Sequence, residues 1–433
     1  MIKKTIFVFA IALIVGSYVF SQEKMKLSLE DCIKYAQTHN NTLRTAELNR
    51  SSAELSYSES KQKFAPTVSA SASQGFGYSH KSSEASWNGS YGISAGMTLF
   101  DGLNNYNSLK ISELSMQQSD LKLEQSRNNI NIQIIQAYLS ILMNQEKLQY
   151  QQEVLKTAEE QEKEGKQQYA VGQILESDYK LLKANKISSE YDIENTKIAI
   201  SNNMLSLKAL LCIPSSTELE IEKPKLDADG EMLSMPTLNQ AVEKALNYLP
   251  EVKLSQSNVD MANYDLKVAK SSFSPTLSLS AGINTGYTNF DEDWGTQVSQ
   301  GLGENIGLNL SIPIYSRGST STKVKQSKIS LQQANIDNEQ VILDITEEIE
   351  QKYLSAAQSY NTYKSSEAME KAYQESYNVY NEKFKAGSIT TVELLQQQNN
   401  YLNSLNQYIQ NKYSYLLNRR ILDIYMGEFN TLN

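Results

Sequence analysis

The two halves of the chain carry the same motifs in the same order, and this internal duplication constrains the fold more than any other feature. One set of matches lies at an offset of 209 residues and a second set at an offset of 215. The difference of six falls between Tyr287 and Gly307, which predicts a longer loop in the second copy. The clearest matches pair Phe64-Ala65-Pro66-Thr67 with Phe273-Ser274-Pro275-Thr276, Gly172 with Gly387, and Asp178 with Glu393.

Each copy is predicted to contain two short helices, two strands and two long helices. We expect a signal peptide at 1–21 and a linker at 214–236 between the copies. The first repeat spans 22–213, with strands at about 66–78 and 88–100 and long helices at about 102–168 and 176–211. The second spans 237–433, with strands at about 275–287 and 304–315 and long helices at about 318–384 and 391–426.

The predicted strands alternate apolar residues with Ser, Gly, Asn and Thr, as Val68, Ala70 and Ala72 alternate with Ser69 and Ser71. This period of two indicates one apolar and one polar face. The mean hydropathy of -0.46 excludes a polytopic helical membrane protein, but strands of a membrane barrel give a much weaker hydropathy signal. A soluble β-sandwich would alternate too, although the second face has few bulky side chains for a two-layer core. The pattern therefore favours a membrane barrel.

The long helices are predicted from the absence of breakers. Between Gly102 and Gln168 there is no Pro, and Gly165 is the one interior Gly. About 67 residues at 1.5 Å each correspond to roughly 100 Å of helix, a length typical of coiled coils. Apolar residues recur every seven positions in two adjacent stripes, which indicates helices with neighbours on two sides. A solvated bundle would explain the stripes alone. The clearest stripe is Leu394, Tyr401, Tyr408, Tyr415 and Leu422.

The N-terminus has the features of a secretory signal peptide: Lys3 and Lys4, an apolar run of about ten residues, and small residues before a cut at Gln22. Such a run is too short to span a bilayer. Losing the two lysines changes the net charge from -9 to -11, and this acidity argues against nucleic-acid binding. With 2 His and 2 Cys, a His- or Cys-rich metal site is not expected.

In combination these features resemble the TolC family of outer-membrane efflux channels, over essentially the whole mature chain. The resemblance implies a homotrimer in which each protomer gives four strands to a twelve-stranded β-barrel and its helices to a periplasmic α-tunnel. The linker and neighbouring short helices would form a belt around that tunnel. The motifs that carry the resemblance are the two Pro-containing tetrapeptides above, Thr98-Leu99-Phe100-Asp101-Gly102, Pro313-Ile314-Tyr315-Ser316-Arg317-Gly318, Tyr169-Ala170-Val171-Gly172 and Phe384-Lys385-Ala386-Gly387.

The resemblance assigns a binding role to the two turns between long helices. In the family, a periplasmic adaptor protein contacts Val-Gly-type tips with its own helical hairpin. The corresponding residues here are Val171, Gly172, Gln173, Ala386, Gly387 and Ser388. Gly as a simple helix breaker would explain the residue type, but not why both tips carry the same motif.

The resemblance also implies an aperture near the tips, lined by Asp178 and Glu393, where three copies would form rings that favour cations. An acid in the first turn is also stabilised by the helix dipole, and Thr390 with Glu393 has capping-box spacing. The chain departs from the family pattern at three further gate positions: Phe384 replaces a Tyr, Ile389 an Arg and Gln396 a second acid. Packing of Phe384 and Ile389 would then take the place of polar links.

The sequence thus predicts a passive exit duct in a Gram-negative outer membrane. Its partners would be an adaptor, an inner-membrane pump of the RND or ABC type, and outer-membrane lipid. No enzyme activity, cofactor or nucleic-acid partner is expected. The alternative is an exported periplasmic coiled-coil protein without a pore, and a secreted glycosidase is a distant third reading. Cys32 and Cys212 could form a bridge, but two buried thiols are favoured over it.

Overall fold

A computed structural model describes residues 25–80, 84–223, 235–288 and 293–428. The predicted signal peptide and the middle of the predicted linker lie outside these residues. The first repeat contains β1 (Met25–Leu27), α1 (Leu29–His39), α2 (Asn41–Gln62), β2 (Thr67–Ser79), β3 (Glu84–Phe100), α3 (Asn104–Ala170), α4 (Glu176–Leu211) and β4 (Leu219–Ile221). The second contains α5 (Leu238–Tyr248), α6 (Pro250–Ser271), β5 (Thr276–Thr288), α7 (Trp294–Gln300), β6 (Gly303–Ser311), α8 (Ser319–Lys385) and α9 (Thr391–Tyr425).

Two helices of equal length dominate the molecule. Helices α3 and α8 each contain 67 residues, which corresponds to about 100 Å. Helix α3 runs unbroken through Gly165, where a Cβ atom would lie 2.3 Å from Cδ1 of Leu182 on α4. This Gly therefore allows the returning helix to approach closely. In the part of the chain that the structure describes, no helix is both long and apolar enough to cross a membrane.

The clearest heptad stripe, on α9, lies in the interior between the long helices. On α9, Leu394, Tyr415 and Leu422 are fully buried. Tyrosine fills much of the contact between α8 and α9: the rings of Tyr363 and Tyr415 stack with centroids 6.3 Å apart, and further along Tyr377 stacks on Tyr401 at 5.6 Å. Burial of these rings explains part of the unusual content of 26 Tyr.

The long helices and the stacked short helices lie side by side in four columns, which form an open arc. Near the sheet the contacts run in the order α2, α3, α6, α8, and farther away in the order α4, α3, α9, α8. Helix α4 is stacked end to end with α2: the side-chain amide of Asn40 donates to the carbonyl of Leu210 (2.8 Å), while its Oδ1 atom caps the first turn of α2. The edges of the arc are therefore the α2–α4 column on one side and α8 on the other.

The four long strands form one antiparallel sheet in the order β2-β3-β5-β6. Register pairs such as Ala70 with Ile93, and Ile93 with Ile283, place the apolar residues of all strands on one face. From Ala85 to Thr98 on β3, and along β2, β5 and β6, the opposite face carries Ser, Gly, Asn and Thr. Serine hydroxyls pair across this polar face, as in the 2.9 Å contact between Ser69 and Ser94.

Aromatic residues gather at the ends of the strands that lie farthest from the helices. The Phe76 and Trp87 rings are 4.9 Å apart on the apolar face. Nearby, the Tyr287 hydroxyl donates to Oε1 of Gln74 (3.1 Å), whose amide donates to the Tyr91 hydroxyl (2.8 Å). An aromatic belt with satisfied polar groups is typical of a membrane–water interface.

Three features differ from the sequence-based expectations or were absent from them. Strand β6 ends at Ser311, before the expected end at 315, because Pro313 has no amide to donate to a ladder. The longer loop of the second repeat contains helix α7, whose Val298 carbonyl accepts from the Thr285 hydroxyl. Strands β1 and β4 pair in parallel beside α1 and join the main apolar cluster through Leu27, Leu219 and Ile221.

The expectation of two buried thiols is wrong for Cys212. Both cysteines are free, but Cys32 is fully buried while Cys212 is exposed. Burial raises the pKa of Cys32 to about 12. Cys212 ends α4 in the left-handed conformation (φ 55°), and Gly427 takes the equivalent conformation after α9 (φ 70°). The backbone conformation at the end of α4 therefore holds Cys212 at the surface. The prediction of burial did not take this conformation into account.

We expect Cys212→Gly to stabilise the protein relative to Cys212→Ala. A residue with a Cβ atom in the left-handed conformation costs about 1–2 kcal/mol, from which the extra chain entropy of Gly subtracts about 0.5–1 kcal/mol. The midpoint of urea unfolding, followed by circular dichroism, should be higher for the Gly variant than for the Ala variant. Equal midpoints would contradict a strained conformation at Cys212.

Candidate functional site at the helix tips

The two turns between long helices have the same backbone geometry. The amide of Gly172 donates to the Tyr169 carbonyl (3.0 Å), and that of Gln173 to the Gln168 carbonyl (2.8 Å). In the second repeat, Gly387 donates to Phe384 and Ser388 to Lys383, both at 2.9 Å. Both turns are therefore Schellman motifs, which require a left-handed residue at the Gly position. The φ angles of Gly172 and Gly387 are 77° and 69°.

The predicted adaptor-contact residues lie at the surface of these turns. Val171 is 72% exposed, and a Cβ atom on Gly172 or Gly387 would meet no atom within 4 Å. The remaining members, Gln173, Ala386 and Ser388, are exposed as well. The two tips thus present small, uncharged, outward-facing surfaces, each on a rigid turn of defined conformation.

The predicted gate acids both cap the helix that follows a tip. Oε2 of Glu393 accepts from the amide and the hydroxyl of Thr390, at 2.8 and 2.9 Å. Oδ2 of Asp178 accepts more weakly from the Leu175 amide, at 3.3 Å. The backbone hydrogen bond from Thr390, followed by the one from its hydroxyl, lowers the pKa of the exposed Glu393 carboxyl. Glu393 is thus held ionised and in a fixed orientation.

The other predicted gate residues separate into packed and exposed groups. Phe384 is only 2% exposed, in the same cluster as Leu182 and Leu394, and Ile389 packs against that cluster. Gln396 is exposed and donates to Oδ1 of Asn400 on its own helix (3.2 Å). Phe384 thus lies in the interior and Ile389 is partly buried against the same large cluster, whereas Gln396 lies on the surface without a link to another helix among the described residues.

A buried polar layer near the tips was missed by the sequence reasoning. The side-chain amide of Gln161 on α3 donates to Oδ1 of Asn381 (2.9 Å) and to the Tyr377 hydroxyl (3.1 Å), both on α8. Asn185 on α4 donates to Oε1 of Gln398 on α9 (3.0 Å). Gln161 and Gln398 are at most 2% exposed. The heptad pattern gave no signal for this layer, because Lys147 and Val154 precede Gln161 at seven-residue spacing and form no apolar stripe.

Both edges of the protomer have unpaired strand backbone and exposed apolar side chains. Strands β2 and β6 each have a long side with no partner strand in the described part of the chain. The helical edges expose large apolar side chains, including Leu48, Leu55, Ile198, Ile329, Ile336 and Leu343. A lipid-embedded sheet cannot leave such edges open, because the bilayer core has no water to hydrogen-bond them. Ring closure with further copies would satisfy both edges at once.

The family model described as "Outer membrane efflux protein" matches residues 32–197 and 241–428, which include most of both repeats. The chain belongs to this family. It is 23% identical over 427 residues to the outer membrane protein TolC of Salmonella enteritidis, a match that covers 95% of this chain and 84% of that protein. The outer membrane efflux protein BepC of Brucella suis is 25% identical over 320 residues, covering 72% of this chain and 66% of BepC.

A solved structure shares the fold. The CusC structure, described as showing conformational changes that accompany folding and transmembrane channel formation, superposes with a TM-score of 0.81 at 16% identity. The superposition covers 92% of this chain and 91% of the CusC chain. The family match confirms the predicted class, an outer membrane efflux protein, and the superposition confirms the predicted fold, a four-stranded sheet per protomer that continues into long helices. The family consists of exit ducts for efflux rather than of enzymes.

The tip geometry predicts that Gly172→Ala and Gly387→Ala each loosen one tip. Either substitution places a Cβ atom in the left-handed conformation, at a cost of about 1–2 kcal/mol. Amide hydrogen exchange of the flanking turn should accelerate severalfold, while Val171→Ala, which keeps the Gly, should leave the exchange rate unchanged. Gly172→Asn should lie in between, since Asn tolerates this conformation. Unchanged exchange in both Ala variants would show that the Schellman turns are not formed in solution.

Proposed function

We propose that the protein is the passive exit duct of a tripartite efflux or type I secretion-like system. It conducts small toxic compounds or exported substrates from the periplasm to the exterior. The observation that carries this proposal is the continuity of the open-edged sheet with two 67-residue helices. Closing both edges in a homotrimer turns the sheet into a twelve-stranded barrel and the arc of helices into a tunnel of roughly 100 Å.

The polar face of the sheet lines the lumen of this duct. Its Ser, Gly, Asn and Thr side chains are short, and several hydroxyls are paired with each other across strands. The apolar face, with Val68, Ile93 and Leu308 exposed in the protomer, contacts outer-membrane lipid. A lining of short polar side chains suits the passage of solutes, so the protein acts as a conduit.

The partners act at the opposite end of the tunnel. An adaptor protein docks its helical hairpins on the exposed tips at Val171, Gly172 and Gln173 and at Ala386, Gly387 and Ser388. An inner-membrane pump of the RND or ABC type supplies the energy and hands over the substrate. The small side chains and rigid Schellman turns support this assignment, because another helical hairpin can approach them closely.

The tunnel narrows at a gate just above the tips. Three copies of Glu393, with Asp178 nearby, form rings of carboxylates that attract cations. Burial of Phe384, the packing of Ile389 against the main apolar cluster and the hydrogen bonds of Gln161 to α8 hold the helices together in this region. In the family pattern, a Tyr, an Arg and an acid at positions 384, 389 and 396 would link the helices by polar contacts. Here, apolar packing and the hydrogen bonds of Gln161 take that role.

A pore-free periplasmic coiled coil is the alternative, and localisation separates the two. The duct should sediment with outer membranes, require detergent for extraction and migrate as a trimer in native gels. Deleting the gene should sensitise cells to dyes, bile salts or metal ions, and plasmid-borne protein should restore resistance. A soluble protein whose loss changes no sensitivity would overturn the proposal.

The gate predicts that Glu393→Gln weakens block by multivalent cations in planar bilayers by roughly tenfold, because three charges are lost from the aperture. Glutamine can still accept from Thr390, so the helix cap survives. Since hydrogen bonds lower the pKa of Glu393, block in the parent channel should persist below the ordinary glutamate pKa of about 4.3 and vanish as pH falls further.

Thr390→Ala serves as the matched variant for this pH dependence. It removes the hydroxyl bond but keeps the carboxylate, so the pKa of Glu393 rises and block should be lost at a higher pH than in the parent. Identical block in the parent, Glu393→Gln and Thr390→Ala channels at every pH would exclude a Glu393 ring.

A further inference from the structure

The internal duplication supplies a template for the contact between protomers. Within the chain, α3 of the first repeat packs against α6 of the second. Gln118 donates to Oγ of Ser257 (3.2 Å) and to Oδ1 of Asn258 (2.7 Å), and nearer the sheet Asn104 donates to Oγ of Ser271 (3.2 Å). In this junction, the first long helix of one repeat contacts the second short helix of the next repeat. If the duplication extends to the assembly, the equivalent relation would join α8 of one copy to α2 of another.

The two sequence offsets convert the internal junction into an intermolecular one. Adding 215 to a position on α3 gives the equivalent position on α8, so Gln118 corresponds to Gln333. Leu114 and Leu121 line the groove at the junction together with Ser257. Their equivalents on α8 are Ile329 and Ile336. Subtracting 209 from α6 positions gives α2, so that Ser257 becomes Leu48. The template thus seats Leu48 opposite Gln333, between the two isoleucines.

The burial pattern independently marks the same residues. Leu48 is 70% exposed and Leu55, its heptad neighbour, 72%, whereas Ile329 and Ile336 are 54% and 65% exposed. Away from their first and last turns, α3, α6 and α9 expose no large apolar side chain within the described ranges. Exposed apolar stripes are therefore confined to the helices at the edges of the arc, where a second copy is required to cover them.

Two pairs of opposite charges agree with the same register. Helix α2 leads into the sheet and α8 leads away from it, so the two run antiparallel. In the template register, Arg44 lies opposite Asp337, and Glu59 lies opposite a position one residue from Lys323. All four side chains are exposed in the protomer. Opposite charges at both ends favour this register. A shift of one heptad would bring Asp344 opposite Arg44, but it would leave Glu59 about 10 Å farther from Lys323.

We propose that α8 of one copy packs along α2 of a second copy of this chain, with Leu48 inserted between Ile329 and Ile336. Strand β2 follows α2 and β6 precedes α8, so this helical seam continues directly into the pairing of the two sheet edges. The inference rests on the proposed trimeric duct and adds which residues join its protomers and in which register.

Engineered cysteines test the register. In a Cys212→Ser background, which leaves only the buried Cys32, Leu48→Cys is combined with Gln333→Cys and the purified full-length protein is oxidised. A disulfide requires Cα atoms within about 7 Å. Covalent dimers and trimers should therefore appear on denaturing gels. The matched control combines Leu48→Cys with Gln340→Cys, one heptad farther along the same stripe, and should remain at the level of the single variants.

The outcomes separate the seam from the duct. Cross-linking of the control pair, or of neither pair, in a protein that migrates as a trimer on native gels would overturn the register and leave the proposed function standing. A monomer that is soluble without detergent would overturn both. As a second measurement, Arg44→Glu should lower the trimer fraction, and adding Asp337→Arg should restore it; loss without restoration would contradict the assigned ion pair.

Discussion

The rest of the structure depends on one constraint: a sheet with an apolar outer face cannot leave its backbone edges unpaired in lipid. Four strands are too few to close on themselves, so β2 and β6 must pair with other copies. Because α2 leads into β2 and α8 leaves β6, the same closure brings the exposed apolar edges of the helical arc together. Barrel and tunnel are thus two consequences of one ring closure, and neither edge is satisfied in an isolated protomer.

The tunnel helices satisfy a different requirement, since they must stay associated over about 100 Å while their lumen side remains wet. Tyrosine suits this position because its ring packs in the interior and its hydroxyl can still find a partner. Tyr413, for example, donates to Glu146 on α3 (2.7 Å), which also binds Lys412. Near the tips the interior becomes polar, with Gln161 and Gln398 buried between the helices. A polar layer fixes the register of helices at some cost in stability, which fits the gate proposed at this end.

Much of the fold was predictable because its signals are local. Alternation of small polar and apolar residues placed β2 within about a residue of its observed ends, and the scarcity of Pro and Gly placed α8 within one residue and α3 within two residues of theirs. Local signals were also strong at the tips, where only Gly adopts the required φ easily. The misses have non-local causes. Strands β1 and β4 are three residues long and pair across nearly 200 positions. The exposure of Cys212 follows from its position at a helix end, and the contacts of Gln161 depend on how α3 meets α8.

By itself, the sequence determined the duplicated layout, the element types and the chemistry of each face, because periodicity and breakers act through the neighbouring backbone. It also determined which acids follow the tips. Only the tertiary structure decided the role of those residues: that Glu393 is held ionised by Thr390, that Phe384 is buried while Gln396 is exposed, and that Gln161 bridges two helices. The physical reason is that burial and hydrogen bonding depend on the relative placement of helices distant in sequence. The same placement revealed that the edge helices expose apolar stripes, a property that a heptad pattern shared by all the long helices does not distinguish.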